Sequence, residues 1–549
     1  MSNFKQGIIA RRLTINNATM KYPIGIQSFS NIREDGYAYV DKTTLIYSLV
    51  TEGKVYFLSR PRRFGKSLLV STLEAYFEGK KELFEGLAID GLEREWKRHP
   101  VFHIDFNGDD YLESGMLEEA IEGYLREWEK RYGVESVFGS YGRRFAKVLA
   151  EAYRQTGQKA VVLIDEYDKP ILDVLDSEKT VDKQGEVVSL EENNRRVLKA
   201  FYSTFKLADA NLRFVLLTGV TKFSQVSVFS GFNQPRDISM SADYETLCGI
   251  TQEELENYFD AEVEAMANKN GLTKGQMYGV LKAQYDGYHF SDNLTGVYNP
   301  FSLLNALREK RLDDYWFRTG TPTYLVRLMN HFHEDLDEMT GKYYSPEEFV
   351  DYRADVERPL PMIYQSGYLT VKDYDREMRT FLLDFPNDEV KRGFLMLVAS
   401  NYFNVGSGLN SVIQTLAVSL KRNDLEAFRT HLTSFLASIP YSMRRKEGER
   451  ERERYFHYTF YLLLRLISVY TVYTEKEQSQ GRVDCIVETK DNVYIFEFKL
   501  DGTAEEALRQ IEDKGYVKPY ASDNRKVYKI GVSFSSETGT IEGWKAEQA

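Results

Sequence analysis

The chain has 549 residues, of which 42% are hydrophobic and 28% charged, a composition typical of globular proteins with several buried cores. Its net charge of −12 argues against a surface that binds nucleic acid all over, although a local basic groove remains compatible with it. The two cysteines, Cys248 and Cys485, are too few for a disulfide framework and favour a cytoplasmic protein. We expect neither a secretory signal nor a membrane span, because no apolar stretch is long enough.

Hydrophobic patterning predicts an N-terminal extension followed by an α/β domain. The extension covers residues 1–21 and the domain covers residues 22–245. Short apolar runs alternate there with longer helical patterns, as expected for strands that helices cover on both sides. The runs cover residues 55–58, 101–104, 161–164 and 214–217.

The rest of the chain predicts a helical region and a second, smaller α/β domain. Residues 246–380 form a mainly helical region, with a capping box at Thr251 and a helix start at Asn299. Within it, residues 246–375 contain no long strand run. Residues 381–549 begin with helices and change to strands near their end. The predicted strands cover 483–487, 493–498 and 527–532, and a helix covers 504–513.

A phosphate-binding loop is predicted where the first apolar run ends. The segment Arg-Pro-Arg-Arg-Phe-Gly-Lys-Ser that ends at Ser67 lies between a strand and a helix. In this context the loop that contains Arg63 and Gly65 binds the nucleotide, and its backbone N–H groups face the phosphates. Lys66 reaches the β and γ oxygens, and Ser67 binds Mg²⁺. The pattern G-x-x-x-x-G-K-[ST] has glycine where this chain has Arg60. The alternative interpretation is an ordinary helix start.

A second part of a nucleotide site is predicted where the third apolar run ends. Asp165 and Glu166 follow four apolar residues, so Asp165 is placed to hold Mg²⁺ and Glu166 to polarise the attacking water. Thr218 follows the fourth run and is a candidate sensor of the γ-phosphate, with an ordinary loop as the alternative. Arg236 is a candidate for stabilising phosphate charge. So are the loop arginines Arg60, Arg62 and Arg63, with plain surface groups as the alternative for all four.

Near the C-terminus, two carboxylates and a lysine have the spacing of a metal site. Glu497 and Lys499 lie two residues apart on one strand, and therefore on one face, and Asp484 on a hairpin partner strand can approach that face. Oxygen ligands suit Mg²⁺ or Mn²⁺, which activates water, while Lys499 stabilises charge on a phosphodiester. The alternative is a solvated pair on an exposed strand.

Two family resemblances follow from these motifs. Residues 20–245, with their RPRRFGKS and LIDEYDKP segments, resemble the AAA-ATPase-like family, whose loop also lacks the first glycine. This resemblance implies a P-loop NTPase sheet with an extra strand between the two nucleotide motifs and a helical lid in residues 246–380. Residues from about 380 to 540 resemble the PD-(D/E)XK nuclease superfamily. That resemblance implies roles for Gln510 and Tyr516 after the core, and makes Glu453 a candidate extra carboxylate.

The function indicated is ATP binding and hydrolysis coupled to a metal-dependent nuclease-like domain that acts on DNA. ATP, Mg²⁺ and, at the second site, Mn²⁺ are the expected cofactors, and DNA and a second copy of the chain are the expected partners. The alternative is an ATP-dependent switch that binds a protein partner through a nuclease fold that does not cleave. An effector that acts only when triggered is a third hypothesis.

Overall fold

The computed structural model describes residues 20–135, 139–175, 179–181, 187–222, 235–319, 339–350, 359–403, 408–439, 459, 462–467 and 485–549. The chain separates into two compact units. The first unit contains Met1–Leu325 and Gly341–Pro386, and the second contains Val326–Thr340 and Asn387–Ala549. The four-part division of the sequence stays a prediction.

A five-stranded parallel sheet forms the centre of the first unit, in the order β2-β3-β6-β1-β7. Its strands are β1 (Val55–Ser59), β2 (Val101–Asp105), β3 (Ala160–Asp165), β6 (Leu212–Gly219) and β7 (Arg236–Asp237); β4 (Lys179–Val181) and β5 (Val187–Ser189) form a separate hairpin. All six residues of β3 are buried, which explains its unbroken apolar run. The four apolar runs lie in β1, β2, β3 and β6, and β6 is the extra strand between β1 and β3. The predicted α/β fold is therefore confirmed.

The helices of this part connect the strands. They are α1 (Phe29–Glu34), α2 (Thr43–Glu52), α3 (Lys66–Phe77), α4 (Met116–Tyr132), α5 (Tyr141–Thr156), α6 (Lys169–Leu172), α7 (Leu190–Tyr202) and α8 (Thr204–Leu207). Short 3₁₀ turns occupy Lys81–Phe84, Ala88–Gly91, Asp209–Asn211 and Ala242–Tyr244. The helix α3 buries Leu69, Val70 and Leu73, so an apolar face fixes the helix that starts at the predicted phosphate loop.

A helical layer follows the sheet in the chain. It contains α9 (Gln252–Lys269), α10 (Lys274–Tyr285), α11 (Pro300–Glu309) and α12 (Tyr315–Arg318), with a short pair of strands, β8 (Ile250–Thr251) and β9 (Val297–Tyr298). The predicted capping box at Thr251 is present, and the Asn299 side chain caps α11 with Pro300 in its first turn. Tyr22 and Ile24 pack against the core of this layer.

A small antiparallel sheet corrects the expectation that residues 246–375 contain no long strand. Its strands, in the order β10-β12-β11, are β10 (Lys342–Tyr344), β11 (Thr370–Asp375) and β12 (Thr380–Asp384), accompanied by α13 (Pro346–Phe349) and α14 (Leu360–Gln365). Only the first two residues of the six-residue strand β11 are buried. A mostly polar strand has no apolar run, and the sequence pattern therefore missed it.

In the described part of the second unit, helices precede a four-stranded sheet. The helices are α15 (Asp388–Phe403), α16 (Leu409–Lys421) and α17 (Leu425–Ser438), and the sheet order is β13 (Cys485–Glu488), β14 (Asn492–Leu500), β15 (Lys526–Phe534) and β16 (Ile541–Gln548). The helix α18 (Ala504–Asp513) connects the parallel strands β14 and β15, and a 3₁₀ turn follows at Lys518–Tyr520. The predicted small α/β domain is confirmed. β16, mostly partly exposed or exposed, was not predicted.

Within the described ranges, none of the helices combines the length and apolar content needed to cross a bilayer.

Candidate functional site

The predicted phosphate loop enters α3 through a left-handed residue. Gly65 has φ +89° and is the N-cap of α3, and an added Cβ would meet no atom within 4 Å. Backbone conformation, not space, therefore selects glycine here. Arg63 also has positive φ, +67°. The loop thus turns sharply, and the unpaired N–H groups at the start of α3 provide the positive end that binds anions.

Arg60 stands where the common loop pattern has glycine, and its side chain points into the protein. It is 1% exposed, and its guanidinium donates to the carbonyl oxygens of Ser59 (2.9 Å), Ser239 (2.7 Å) and Tyr244 (3.2 Å). The guanidinium carbon lies 4.0 Å from the centre of the Phe290 ring. Burial lowers the pKa of Arg60 below its usual range. The interpretation of Arg60 as a surface group or a phosphate ligand is therefore wrong: it packs the base of the loop.

Lys66 is buried and faces the acidic end of β3. Its Nζ donates to the carbonyl oxygens of Arg60 (3.1 Å) and Pro61 (3.4 Å), and it lies 3.8 Å from Glu166 Oε1. The Lys66 side chain is 4% exposed, against 23% for Glu166. The structure thus brings together the lysine of one predicted motif and the carboxylate of the other.

Asp165 and Thr218 form a buried pair on neighbouring strands. The Thr218 hydroxyl donates to Asp165 Oδ1, the oxygen that also accepts the Glu166 N–H at 3.1 Å. Glu166 itself has φ +52°, a conformation that costs about 1–3 kcal/mol for a residue other than glycine. Local strain at this point suggests a constraint from function. The role of Thr218 as a γ-phosphate sensor stays a prediction.

A cavity of about 360 Å³ lies at this edge of the sheet. Its lining includes the polar side chains of Arg63, Lys66, Ser67 and Glu166, and Phe301 of α11 also lines it. The guanidinium carbon of Arg63 is 5.0 Å from the centre of the Phe301 ring, so a cation–π contact holds the arginine at the wall. The volume is within the range of small-molecule sites.

A second cavity, of about 110 Å³, adjoins the first and is mainly apolar. Gly65 and Leu68 line both cavities, and Pro23, Val40 and Phe259 belong to the wall of the second. A polar compartment beside an apolar one matches a ligand that has a charged part and a flat, weakly polar part.

Two carboxylates near this edge were missed by the sequence analysis. Asp168 is fully buried, and burial, with the neighbouring Glu166 charge, raises its pKa to about 6. Asp105 pairs with Asp165 in the β2–β3 register, and its pKa is raised by burial and by the Asp165 charge. Asp168 follows the acidic motif by two residues, but its partners lie after β6 and cannot be read from local sequence.

Arg236 lies away from the cavity. It is on the edge strand β7, opposite Tyr56 of β1, with its guanidinium 3.4 Å from Asp243 and 3.8 Å from Glu52. It does not line the cavity beside Lys66. The structure therefore does not bring Arg236 together with the other predicted residues of this site.

In the second unit, Glu497, Lys499 and Gln510 form one polar cluster. Lys499 Nζ lies 3.5 Å from Glu497 Oε1 and donates to Gln510 Oε1 at 2.6 Å, while Gln510 Nε2 donates to Glu497 Oε1. Glu497 is 1% exposed and Lys499 is 30% exposed, so the cluster opens at the lysine. Gln510 of α18 thus links both predicted site residues of β14.

Of the other predicted members of the second site, only Tyr516 belongs to the described residues. Asp484 and Glu453 lie outside the described residues, as does the charged run 444–454. Tyr516 is 1% exposed and belongs to an apolar core with Ile486 and Ile495. Among the residues that the structure describes, no three His, Cys, Asp or Glu side chains gather as a metal site. Of the two predicted carboxylate ligands of a metal, the structure therefore describes only Glu497.

Comparisons with known proteins agree with both units. A family model described as a predicted AAA-ATPase matches residues 23–229, and one described as PD-(D/E)XK nuclease superfamily matches residues 451–544. The chain is 35% identical over 537 residues to "Uncharacterized protein in vnfD 5′ region" of Azotobacter chroococcum mcd 1, which covers 96% of this chain and 99% of that protein. Both resemblances predicted from the sequence are confirmed.

Proposed function

Because the chain belongs to the predicted AAA-ATPase family and carries a PD-(D/E)XK nuclease-superfamily domain, we propose that it binds and hydrolyses ATP and acts on DNA through its second unit. The observation that carries the ATPase proposal is the position of Lys66, 3.8 Å from Glu166 across the cavity at the start of α3. A cation, a helix N-terminus and a carboxylate at one point are the groups that phosphoryl transfer to water requires.

The triphosphate occupies the larger cavity in this proposal. The N–H groups at the start of α3 and the Lys66 ammonium bind its oxygens, while Arg63 neutralises charge from the wall. The adjoining apolar cavity between Pro23 and Phe259 receives the base. Apolar walls of this kind contribute affinity, with few polar groups to distinguish one purine from another.

Magnesium fits the donor set of this site. The Ser67 hydroxyl lines the cavity, and the Asp165 carboxylate is buried and does not itself line it. Both are hard oxygen donors of the kind that Mg²⁺ prefers, and Thr218 holds one oxygen of Asp165 by a hydrogen bond. When bound, the metal neutralises charge on the β- and γ-phosphates. The protein's own contribution is to fix the Asp165 carboxylate before the nucleotide arrives.

Glu166 orients the attacking water and accepts its proton. Its side chain is partly exposed in the cavity, and its left-handed backbone aims it at the space beside Lys66. Phosphate oxygens that bind the Lys66 ammonium compete with Glu166 for it, which leaves the carboxylate available as a base.

The second unit supplies the proposed action on DNA. In this proposal Glu497, together with Asp484 from outside the described residues, would hold a divalent metal, which would supply an activated water. Lys499 stabilises charge at the phosphodiester, and Gln510 sets the distance between Lys499 and Glu497. Exposure of Lys499 gives a phosphate backbone access to the cluster.

A paired assay tests both halves of the proposal. Wild-type protein, Lys66→Ala and Lys499→Ala are incubated with ATP, Mg²⁺ or Mn²⁺, and single- and double-stranded DNA and RNA. We expect Lys66→Ala to lose ATP hydrolysis and Lys499→Ala to lose cleavage while it keeps ATP hydrolysis. ATP hydrolysis without cleavage of any nucleic acid by wild type would reject the nuclease half and favour an ATP-dependent switch that binds a partner.

A further inference from the structure

A fully buried carboxylate holds the turn after β6 in place. Asp168 Oδ2 accepts hydrogen bonds from the N–H groups of Val220 (2.9 Å) and Thr221 (2.6 Å) and from the Thr221 hydroxyl (2.8 Å). Asp168 Oδ1 has no hydrogen-bond partner among the described residues. Burying a half-satisfied carboxylate costs free energy, so stability alone does not account for this residue.

The turn fits closely against this carboxylate. A Cβ added to Gly219 would lie 2.5 Å from Asp168 Oδ1 and 2.7 Å from Tyr167 Cδ1. The Gly219 carbonyl accepts the N–H of Arg60 at 3.1 Å. The same turn is therefore fixed to the segment after β3 on one side and to the phosphate loop on the other.

The end of β6, directly before the turn, carries the hydroxyl that orients Asp165. Thr218 donates to Asp165, and its carbonyl accepts the Tyr167 N–H at 3.0 Å. The Tyr167 hydroxyl donates back to the Thr221 carbonyl at 2.9 Å. These hydrogen bonds connect the end of β6 and the turn after it to the acidic end of β3. A shift of the turn would therefore move Thr218 relative to Asp165.

We propose that Asp168 is a positioning residue for ATP hydrolysis. It holds the turn after β6 so that Thr218 fixes the Asp165 carboxylate while Glu166 stays beside Lys66. The inference rests on the ATPase function proposed above and adds a residue that does not line the nucleotide cavity. The buried charge of Asp168 lowers the stability of the protein. In this proposal the protein keeps the charge because the hydrogen bonds that Asp168 accepts set the geometry of the hydrolysis step.

The variant Asp168→Asn separates this role from a structural one. It keeps the shape of the side chain and removes the charge that strengthens the bonds from Val220 and Thr221. We expect kcat to fall about 10–100-fold, the effect of weakening hydrogen bonds to a charged group. The KM for ATP should stay within about threefold, because Asp168 does not line the nucleotide cavity. Since a buried charge is lost, the melting temperature should stay equal or rise.

Substitutions of Thr221 grade the effect. Thr221→Val removes one of the three hydrogen bonds and should lower kcat about 3–10-fold. Thr221→Ser keeps the hydroxyl and should restore kcat to within about twofold of wild type. If kcat falls in step with the number of hydrogen bonds lost while KM stays unchanged, a general loss of folding does not explain the result.

Glu245→Gln is the matched control. Glu245 is another buried carboxylate of the first unit that holds a loop, because it accepts bonds from the hydroxyls of Ser291 and Thr295, and it does not line the nucleotide cavity. We expect this variant to change the melting temperature and to leave kcat unchanged when it is divided by the fraction of sites that bind nucleotide.

The experiment measures kcat and KM for ATP on the full chain, the fraction of sites that bind a non-hydrolysable ATP analogue, and the melting temperature. Loss of kcat in Asp168→Asn with KM, binding fraction and melting temperature preserved supports the proposal. Two results would overturn the positioning role of Asp168 and leave the ATPase function standing. One is an unchanged kcat. The other is a fall in kcat that is fully explained by a smaller fraction of sites that bind the analogue or by a lower melting temperature. If wild type hydrolyses no more ATP than Lys66→Ala, the ATPase function and the positioning role fail together.

Discussion

Lys66 Nζ lies 3.8 Å from Glu166 Oε1, although the two residues follow strands that are not neighbours in the sheet. Lys66 begins the helix after β1 and Glu166 follows β3, with β6 between these strands. A cation and a carboxylate held this close in a partly buried site stabilise each other's charge. In the proposed ATPase function, a triphosphate that binds Lys66 replaces the carboxylate as its partner, so nucleotide binding would also release Glu166 as the base.

Replacing Glu166 by glutamine should separate binding from hydrolysis. Glu166→Gln keeps the size of the side chain and removes the base, so we expect kcat for ATP hydrolysis to fall at least about 100-fold. ATP affinity should stay the same or rise, because an anion near the phosphate site is lost. Steady-state hydrolysis and titration with a fluorescent ATP analogue measure the two effects. Glu192→Gln, an exposed residue of α7 paired with Arg196, is the control; equal hydrolysis by both variants would reject the role of Glu166.

Restoring the common loop pattern at Arg60 should harm the protein. Arg60→Gly removes three hydrogen bonds to carbonyl oxygens and the stacking on Phe290, and it leaves a cavity in a buried region. We expect the free energy of unfolding to fall by about 3 kcal/mol or more. Thermal and denaturant unfolding measure it, with Arg62→Gly, an exposed arginine of the same loop, as the control. A more stable or more active Arg60→Gly variant would contradict the packing role.

Helices and strands with strong local sequence signals could be predicted, whereas those without such signals could not. The helix α18 has the predicted bounds 504–513 because a capping box of Thr503 and Glu506 marks its start. The strand β3 was predicted because it is buried throughout. By contrast, β16 is mostly exposed or half-buried, and its side chains leave no clear alternation for a pattern to detect.

The site could be predicted only as far as its motifs are local. Gly65, Lys66 and Ser67 are adjacent in sequence, and the spacing to Asp165 and Glu166 is typical of nucleotide sites. The direction of the Arg60 side chain is decided by carbonyl groups about 180 residues away. Asp168 likewise depends on partners 52 and 53 residues away. Such non-local contacts become visible only when the sheet is assembled.

Loss of Gln510 should weaken the proposed metal site of the second unit. Gln510 contacts both Lys499 and Glu497, so without it the ammonium is free to close on Glu497 and compete with a metal ion. For Gln510→Ala we expect DNA cleavage or Mn²⁺ affinity to fall about 10–100-fold, as for other residues that orient metal ligands. Nuclease assays and calorimetric Mn²⁺ titration measure these quantities. Gln414→Ala, an exposed residue of α16, should leave both unchanged; the same result at Gln510 would remove its assigned role.

The pair of His103 on β2 and Glu74 on α3 should make stability depend on pH. Their atoms Nδ1 and Oε2 lie 3.2 Å apart. Burial is the largest effect on His103 and opposes the charged imidazole, but the hydrogen bond to Glu74 and the negative charges of nearby carboxylates together outweigh it and raise the pKa of His103 above 6.5. The same hydrogen bond lowers the pKa of Glu74 below 4.5. The histidine contribution is therefore complete below about pH 6.5 and is lost as pH rises through the raised pKa, and the glutamate contribution is lost as pH falls through the lowered one.

The test of this pair compares two pH values with a second histidine as control. Both side chains are about one-third exposed, so we expect His103→Gln to lower the melting temperature at pH 5.5 by only about 1–2 °C more than at pH 8.5. His431→Gln, an exposed histidine of α17, should give the same small change at both values. Scanning fluorimetry at low and high salt measures the shifts, and salt should reduce the His103 effect because the pair is partly screened. A larger loss at pH 8.5 than at pH 5.5 would show that the neutral imidazole, through packing, is what stabilises β2 against α3.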